Sequence, residues 1–216
     1  MIRIWVPPTS SVFRYKGQIW DRVADADSRI DGEMQITPMY IRKQNNFTEQ
    51  HIYPGLSFED HDSNLIARIR AMAESKTPDH PWGGMDDRTL LRSARLYARD
   101  YGSKTEGLTM AAGLVLGKDE VIADLLPAYK TDAVVRRDDL DRYDDRLIVR
   151  TNLIDAYEQL SAFMRKSLPD SFHAENGTAV SARDWIVREL VSNILVHREY
   201  SSTVPAQIII SDEGIE

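Results

Sequence analysis

Apolar residues along this chain fall into stretches of period two and stretches of period 3.6, separated by Gly, Pro and charge. Ile2, Ile4 and Val6 alternate and stop at Pro7-Pro8, which predicts a short strand. Residues 12–15 and 18–20 flank Lys16-Gly17 and predict a hairpin turning on that pair. Asp21 to Asp27 reads as an acidic, solvated loop. It lacks the central Gly and terminal Glu of an EF-hand, so a calcium site is not expected. Residues 33–45 predict a short helix on Ile36, Met39, Tyr40 and Lys43, with Pro38 in its first turn.

Residues 62–74 predict an amphipathic helix with Leu65, Ile66, Ile69 and Met72 as its stripe. Lys76 to Gly84 is a breaker-rich linker. Asp86 or Asp87 then caps a helix on Leu90, Leu91, Ala94 and Tyr97. The small apolar run from Leu108 to Leu116 fits a buried helix. This middle region reads as a winged-helix-like unit or as plain helical filler, and the acidic balance of the chain favours filler. Tyr129 to Arg137 predicts a strand, the mixed charges of 136–146 a solvated loop, and Leu147-Ile148-Val149 a further strand. A helix over 152–168 carries Leu153, Tyr157, Leu160, Met164 and Leu168 and stops at Pro169. Residues 172–177 read as a loop, 207–210 as a strand, and 212–214 as a turn into a return strand.

Between these lies the stretch on which the chain is centred. Ser181 caps a predicted helix over 182–199, with Asp184 completing a short-armed capping box. Ile186, Val187, Leu190, Val191, Ile194 and Leu195 recur at helical spacing. Glu189, Asn193 and His197 stand at i, i+4 and i+8, and so share one face. A carboxylate and a carboxamide among so many apolar side chains require partners. The expectation is that all three face a common cleft beside the strand at 207–210. The partner is either a ligand or an internal hydrogen-bond network.

Composition narrows the chemistry. The chain has 216 residues, 42% hydrophobic and 28% charged, as in ordinary globular proteins. It contains no cysteine, which removes disulfides, thiolate metal sites and Cys nucleophiles. No apolar run has the length of a membrane span and the start is no secretory signal, so the chain reads as cytoplasmic. A net charge of −7 disfavours tight, sequence-independent binding to phosphate backbones. Gly113-Leu-Val-Leu-Gly117-Lys118-Asp119 has three residues between its glycines and Asp after the Lys. A phosphate loop needs four residues and a Ser or Thr, so no helicase motor is expected.

The Glu189/Asn193 spacing resembles the N-box of the GHKL ATPases. The longer pattern Glu-x-x-x-Asn-x-x-x-His-Arg-Glu-Tyr, from Glu189 to Tyr200, is similar to that of one subgroup. These are the RecG-like transcriptional regulators, which join a Schlafen/AlbA-type domain assigned to DNA binding to a GHKL-like domain. Leu108-Thr-Met-Ala-Ala-Gly-Leu-Val-Leu-Gly-Lys118 is similar to a second run in that family. The resemblance implies an α+β fold in three parts. Residues 1–60 correspond to the C-terminal part of an AlbA-type domain, 61–125 to a helical middle module, and 126–216 to the N-terminal part of a GHKL-like α/β sandwich. It implies a central fragment: the AlbA Glu-x-Glu-Phe-Lys segment has no counterpart, and the adenine-binding Asp-x-Gly-x-Gly box would follow residue 216.

For the site, the resemblance implies Glu189 as the carboxylate that positions water. It implies Asn193 as the ligand of magnesium held through the nucleotide, with His197 and Arg198 toward phosphate. ATP and magnesium are then cofactors of the full-length protein, bound weakly or not at all by this fragment. DNA is a partner of the full-length protein, and a homo-oligomer is compatible. Three function classes stay open: a DNA-binding regulator with an intact or degenerate nucleotide site, a GHKL ATPase, and a structural or dimerisation module without ligand.

Overall fold

A computed structural model describes residues 12, 14–23, 26–43, 48–101, 104–137, 142–170, 172–175, 178–198, 200 and 203–216. The strand expected at Ile2–Val6 lies outside them. The fold is α+β, with helices and small sheets intermixed. Contacts divide the chain into two compact units, Met1–Gln50 and His51–Glu216.

In the first unit, Lys16 and Gly17 take positive φ angles of 49° and 78° between the bridged residues Tyr15 and Gln18. That is the tight turn expected of Lys-Gly. The described residues of the acidic run, 21–23 and 26–27, are strand and not loop. Strand β1 (Ile19–Val23) pairs antiparallel with β2 (Ala26–Ile30), which sets Asp21 opposite Ser28 and Arg22 opposite Asp27. Alternation at Ile19 and Ile30, both buried, outweighs the charges between them. Helix α1 (Glu33–Lys43) holds Pro38 in its second turn rather than its first. Met39 and Ile36 pack with Ile19 and Ile30 as a small core.

The second unit begins with residues 51–53, which pair antiparallel with the end of strand β4 (Thr105–Leu108). Tyr53 N donates to Leu108 O and Met110 N donates to His51 O, both at 2.9 Å. Helix α2 (Ser63–Lys76) is capped by Asp62, and α3 (Asp87–Ser93) by Asp86. The expected run of α3 to Tyr97 is interrupted. Arg95 adopts φ 59°, and Tyr97 opens strand β3 (Tyr97–Asp100), antiparallel to β4. Met72, placed in the apolar stripe of α2, is exposed. Leu65, Ile66, Leu90, Leu91, Leu96, Leu108, Ala112 and Leu116 form one core beneath these elements.

Helix α4 (Met110–Leu116), capped by Thr109, leads to α5 (Asp119–Leu125). Gly113 lies inside α4, where an added Cβ would collide with Leu125, and at Gly117 it would meet the Gly113 carbonyl. Lys118 Nζ donates to Glu59 O. These glycines serve close packing.

Strand β5 (Thr131–Val135) is buried throughout and is the centre of a three-stranded sheet. Strand β6 (Asp145–Val149) flanks it antiparallel and β9 (Ala206–Ile210) flanks it parallel. The parallel pairing requires a long crossover, which α6 (Leu153–Ser167) and α7 (Ala182–Val196) supply. Ala133, Val135, Ile208 and Ile210 meet Ala156, Leu160 and Met164 of α6 and Val187, Val191 and Leu195 of α7. Residues 172–175, expected as part of a loop, form instead strand β7 (Phe172–Glu175), which pairs antiparallel with β8 (Thr178–Ser181). Beyond β9, Ile209 and Glu216 exchange backbone hydrogen bonds, so a return strand begins as expected.

Candidate functional site

Helix α7 starts where Ser181 Oγ accepts from Asp184 N at 3.1 Å. Asp184 itself pairs with Arg165 at 2.7 Å, and that bond holds its carboxyl below the usual range. The helix ends at Val196, three residues short of the predicted end, and His197 is its C-cap.

Val187, Val191 and Leu195 turn to the sheet. Glu189, Asn193 and His197 are two residues further on, hence about 200° around the helix. All three are exposed. The expected cleft beside residues 207–210 is therefore not formed by these side chains, since the sheet side of α7 is taken by the valine–leucine stripe. They do share a face. Asn193 Nδ2 donates to Glu189 Oε1 at 3.4 Å, which turns the Asn193 carbonyl oxygen away from the carboxylate. Trp185, one turn before Glu189, is 58% exposed, and Val196 is 69% exposed.

Arg198 departs from this face. Its guanidinium lies 5.1 Å from the centroid of Tyr129 and 5.0 Å from that of Tyr200, two rings that are themselves neighbours at 5.9 Å. Its Nη1 donates to Lys130 O at 3.1 Å and to Thr131 Oγ1 at 3.4 Å. Tyr200 is buried and donates to Leu195 O. Burial pushes the Tyr129 phenol up to about 12, against the opposing pull of Arg198. The second half of the motif thus ties the end of α7 to the start of β5.

Among the described residues no cluster of three or more His, Cys, Asp or Glu is placed to hold a metal. A magnesium ion needs fewer protein ligands when phosphate oxygens and water complete its shell. The Asn193 carbonyl fits that kind of donor set, and the Glu189 carboxylate lies beside it, where it would act on a water. Two open clefts lie elsewhere. One, of about 510 Å³, lies between α5 and the end of β6, with Glu120, Tyr129, Arg150 and Gln159 among its lining. The other, of about 450 Å³, lies beside Arg137, Lys166 and Ser211. Neither is lined by Glu189, Asn193, His197 or Arg198. The exposed Trp185 was not singled out by the sequence reading, although its i−4 spacing from Glu189 was visible.

Residues 38–132 match the model of a family described as a domain of unknown function, DUF8451. No curated protein matches the chain. Among solved structures, the DIP2311 protein from Corynebacterium diphtheriae is similar in fold, with a TM-score of 0.52 at 15% identity. The match covers 90% of this chain and 36% of that one. The chain therefore spans little more than a third of the length of that structural relative. No described helix is long and apolar enough to cross a membrane.

Proposed function

We propose that this chain is part of a DNA-binding transcriptional regulator of the RecG-like type, in which the outer face of α7 contributes the metal and phosphate side of a GHKL-type nucleotide site. The observation that supports this reading is the Asn193–Glu189 hydrogen bond on an exposed helix face. It pre-sets the two side chains in different roles. Asn193 would hold magnesium through its carbonyl oxygen, jointly with phosphate oxygens, and the ion would neutralise charge there. Glu189 would orient a water toward the terminal phosphate. His197 closes the same face toward phosphate. Arg198 is committed to Lys130 and Thr131, and in this reading it fixes where α7 ends.

Isothermal titration of ATP with magnesium into the full-length protein tests the proposal. Asn193→Ala should reduce magnesium-dependent affinity. Glu189→Gln should leave binding nearly intact and remove any hydrolysis, because the carboxylate acts on water. This 216-residue chain alone should bind weakly or not at all. Wild-type full-length protein that takes up no nucleotide would leave α7 a structural helix and the regulator without an ATP switch.

A further inference from the structure

Residues 51–110 are joined in a particular order: a short strand, helices α2 and α3, then the β3–β4 hairpin. The first strand returns to pair with the last, through Ile52 opposite Thr109. One core unites them, from Leu65 and Ile66 of α2 to Leu90 and Leu91 of α3 and Leu108 of β4. This is the strand and helix order of a winged-helix module, with α3 in the place of the helix that enters a groove and β3–β4 as the wing. Topology alone assigns no function. The side chains on these two elements add chemistry.

Arg88 and Arg92 stand one turn apart on α3, with side chains 56% and 54% exposed. Both guanidiniums lie over the Tyr97 ring, at 4.8 and 5.3 Å. They share one carboxylate, Glu106 on the wing. Arg95 follows directly and is exposed. On the wing, Arg99 lies 5.5 Å from the ring of Tyr101, itself 82% exposed. Lys104, directly before β4, is exposed. Four carboxylates share this stretch: Glu106, Asp86, which caps α3, Asp87, which pairs with Arg70, and Asp100, which is engaged as well. Residues 86–106 carry five cations against these four, a net charge of +1 in a chain whose net charge is −7, and exposed aromatic surface lies beside the cations.

We infer that α3 and the β3–β4 wing form a contact surface for the phosphate backbone of duplex DNA. Arg88, Arg92, Arg95, Arg99 and Lys104 are its phosphate-facing groups. The inference rests on the regulator reading in naming DNA as the partner, and it is independent of nucleotide binding at α7. Glu106, Asp86 and Asp100 offset three of these five cations, so about two phosphates are neutralised. The logarithm of affinity should then fall with the logarithm of salt at a slope of about −2. Raising salt from about 50 to about 150 mM should weaken binding roughly tenfold, and tight binding at the higher salt is not expected.

The test is fluorescence anisotropy of the 216-residue chain with a short labelled duplex of random sequence. The exposed groups Arg95, Arg99 and Lys104 are changed together to Glu. A charge-matched control reverses Arg150, Arg142 and Arg188, three exposed arginines of the same unit that lie outside α3 and the wing. The wing variant should lose at least about tenfold in affinity at low salt and flatten the slope to near zero, while the control changes little. The neutral Arg95→Gln, Arg99→Gln, Lys104→Gln variant should show a smaller loss of the same sign. No binding by the wild type at low salt would overturn the inference. Equal losses in wing variant and control would overturn it too. Unimpaired binding by the wing variant would place the DNA contacts elsewhere and leave the regulator reading standing. Equal affinity for poly-glutamate would make this a site for acidic protein and overturn the assignment to DNA.

Discussion

The guanidinium of Arg198 lies over the ring of Tyr200, 5.0 Å from its centroid, and also contacts the neighbouring ring of Tyr129 at 5.1 Å. Two residues apart in sequence, Arg198 and Tyr200 close the end of α7 onto the first residue of β5. Arg198→Ala should therefore cost about 1–3 kcal/mol, from lost cation–π contact and from the hydrogen bonds to Lys130 O and Thr131. Arg198→Lys should restore part of it, since an ammonium keeps charge but not the planar stack. Urea unfolding measures both. A stable Arg198→Ala protein that has lost only nucleotide affinity would contradict the anchoring role.

His61 is 6% exposed, and neither ring nitrogen has a hydrogen-bond partner among the described residues. Burial pushes its pKa below the ordinary value, against a weaker opposing pull from Asp60. The folded protein therefore resists a proton that the unfolded chain accepts. The stability associated with neutral His61 is fully present above about pH 6.5 and is lost as pH falls toward the lowered folded value. Thermal melts should show Tm dropping from pH 7.5 to 5.5. His61→Gln, which cannot titrate, should flatten that dependence over the same range. An unchanged slope would assign it to other groups.

Gly113 and Gly117 offer a test of why they are glycines. Gly113→Ala must push against a Leu125 methyl in a packed interior, for a cost of about 1–3 kcal/mol. Gly117→Ala meets a backbone oxygen, which cannot rotate away, and should cost more. Lys118→Ala should leave any nucleotide affinity unchanged, because Lys118 reaches Glu59 O rather than a phosphate cradle. Denaturant midpoints rank the two glycines. A nucleotide effect at Lys118 would revive the phosphate-loop reading.

Much of the fold was legible because apolar period and cap residue coincide. Asp62, Asp86, Thr109, Asn152 and Ser181 each accept a backbone hydrogen bond at a helix start. The strands missed were short and polar. Thr105–Leu108 and Phe172–Glu175 hold four residues each and owe their state to a partner strand, which local sequence does not show. The helix proposed to run through Tyr97 was broken by a residue with ordinary helix propensity: Arg95 takes a positive φ because Leu96 N bonds back to Leu91 O. At the site, spacing placed Glu189, Asn193 and His197 on one face. Their exposure was also latent in the sequence. Of two equal apolar stripes, the one that packs on the sheet, Val187, Val191 and Leu195, is offset by two residues and faces away from them. Counting all six apolar residues as one surface hid that offset. Arg198's partners could not be read at all, since Tyr129 is distant in sequence.

Asp132, in the middle strand of the sheet, is 5% exposed and accepts from Arg146 Nε at 2.9 Å and Nη2 at 2.5 Å. The hydrogen bond from Arg146 holds its carboxyl below the usual range, against burial. A lowered folded pKa means stability that is present above the unfolded value of about 3.9 and lost as pH falls through the folded one. Arg146→Ala strands the carboxylate in a buried position. The expected cost is about 1–3 kcal/mol, less than for a fully buried pair, because the Arg146 side chain is 38% exposed and partly screened. Asp132→Leu combined with Arg146→Met removes both charges and should recover most of that loss, since apolar replacement of a buried pair is often near neutral. The double variant should also lose the share of acid sensitivity below about pH 4 that Asp132 contributes, while other carboxyls held low, such as Asp184, keep theirs. A double variant as unstable as Arg146→Ala alone would show that packing around Tyr143, over which Arg146 lies at 4.9 Å, outweighs the charge.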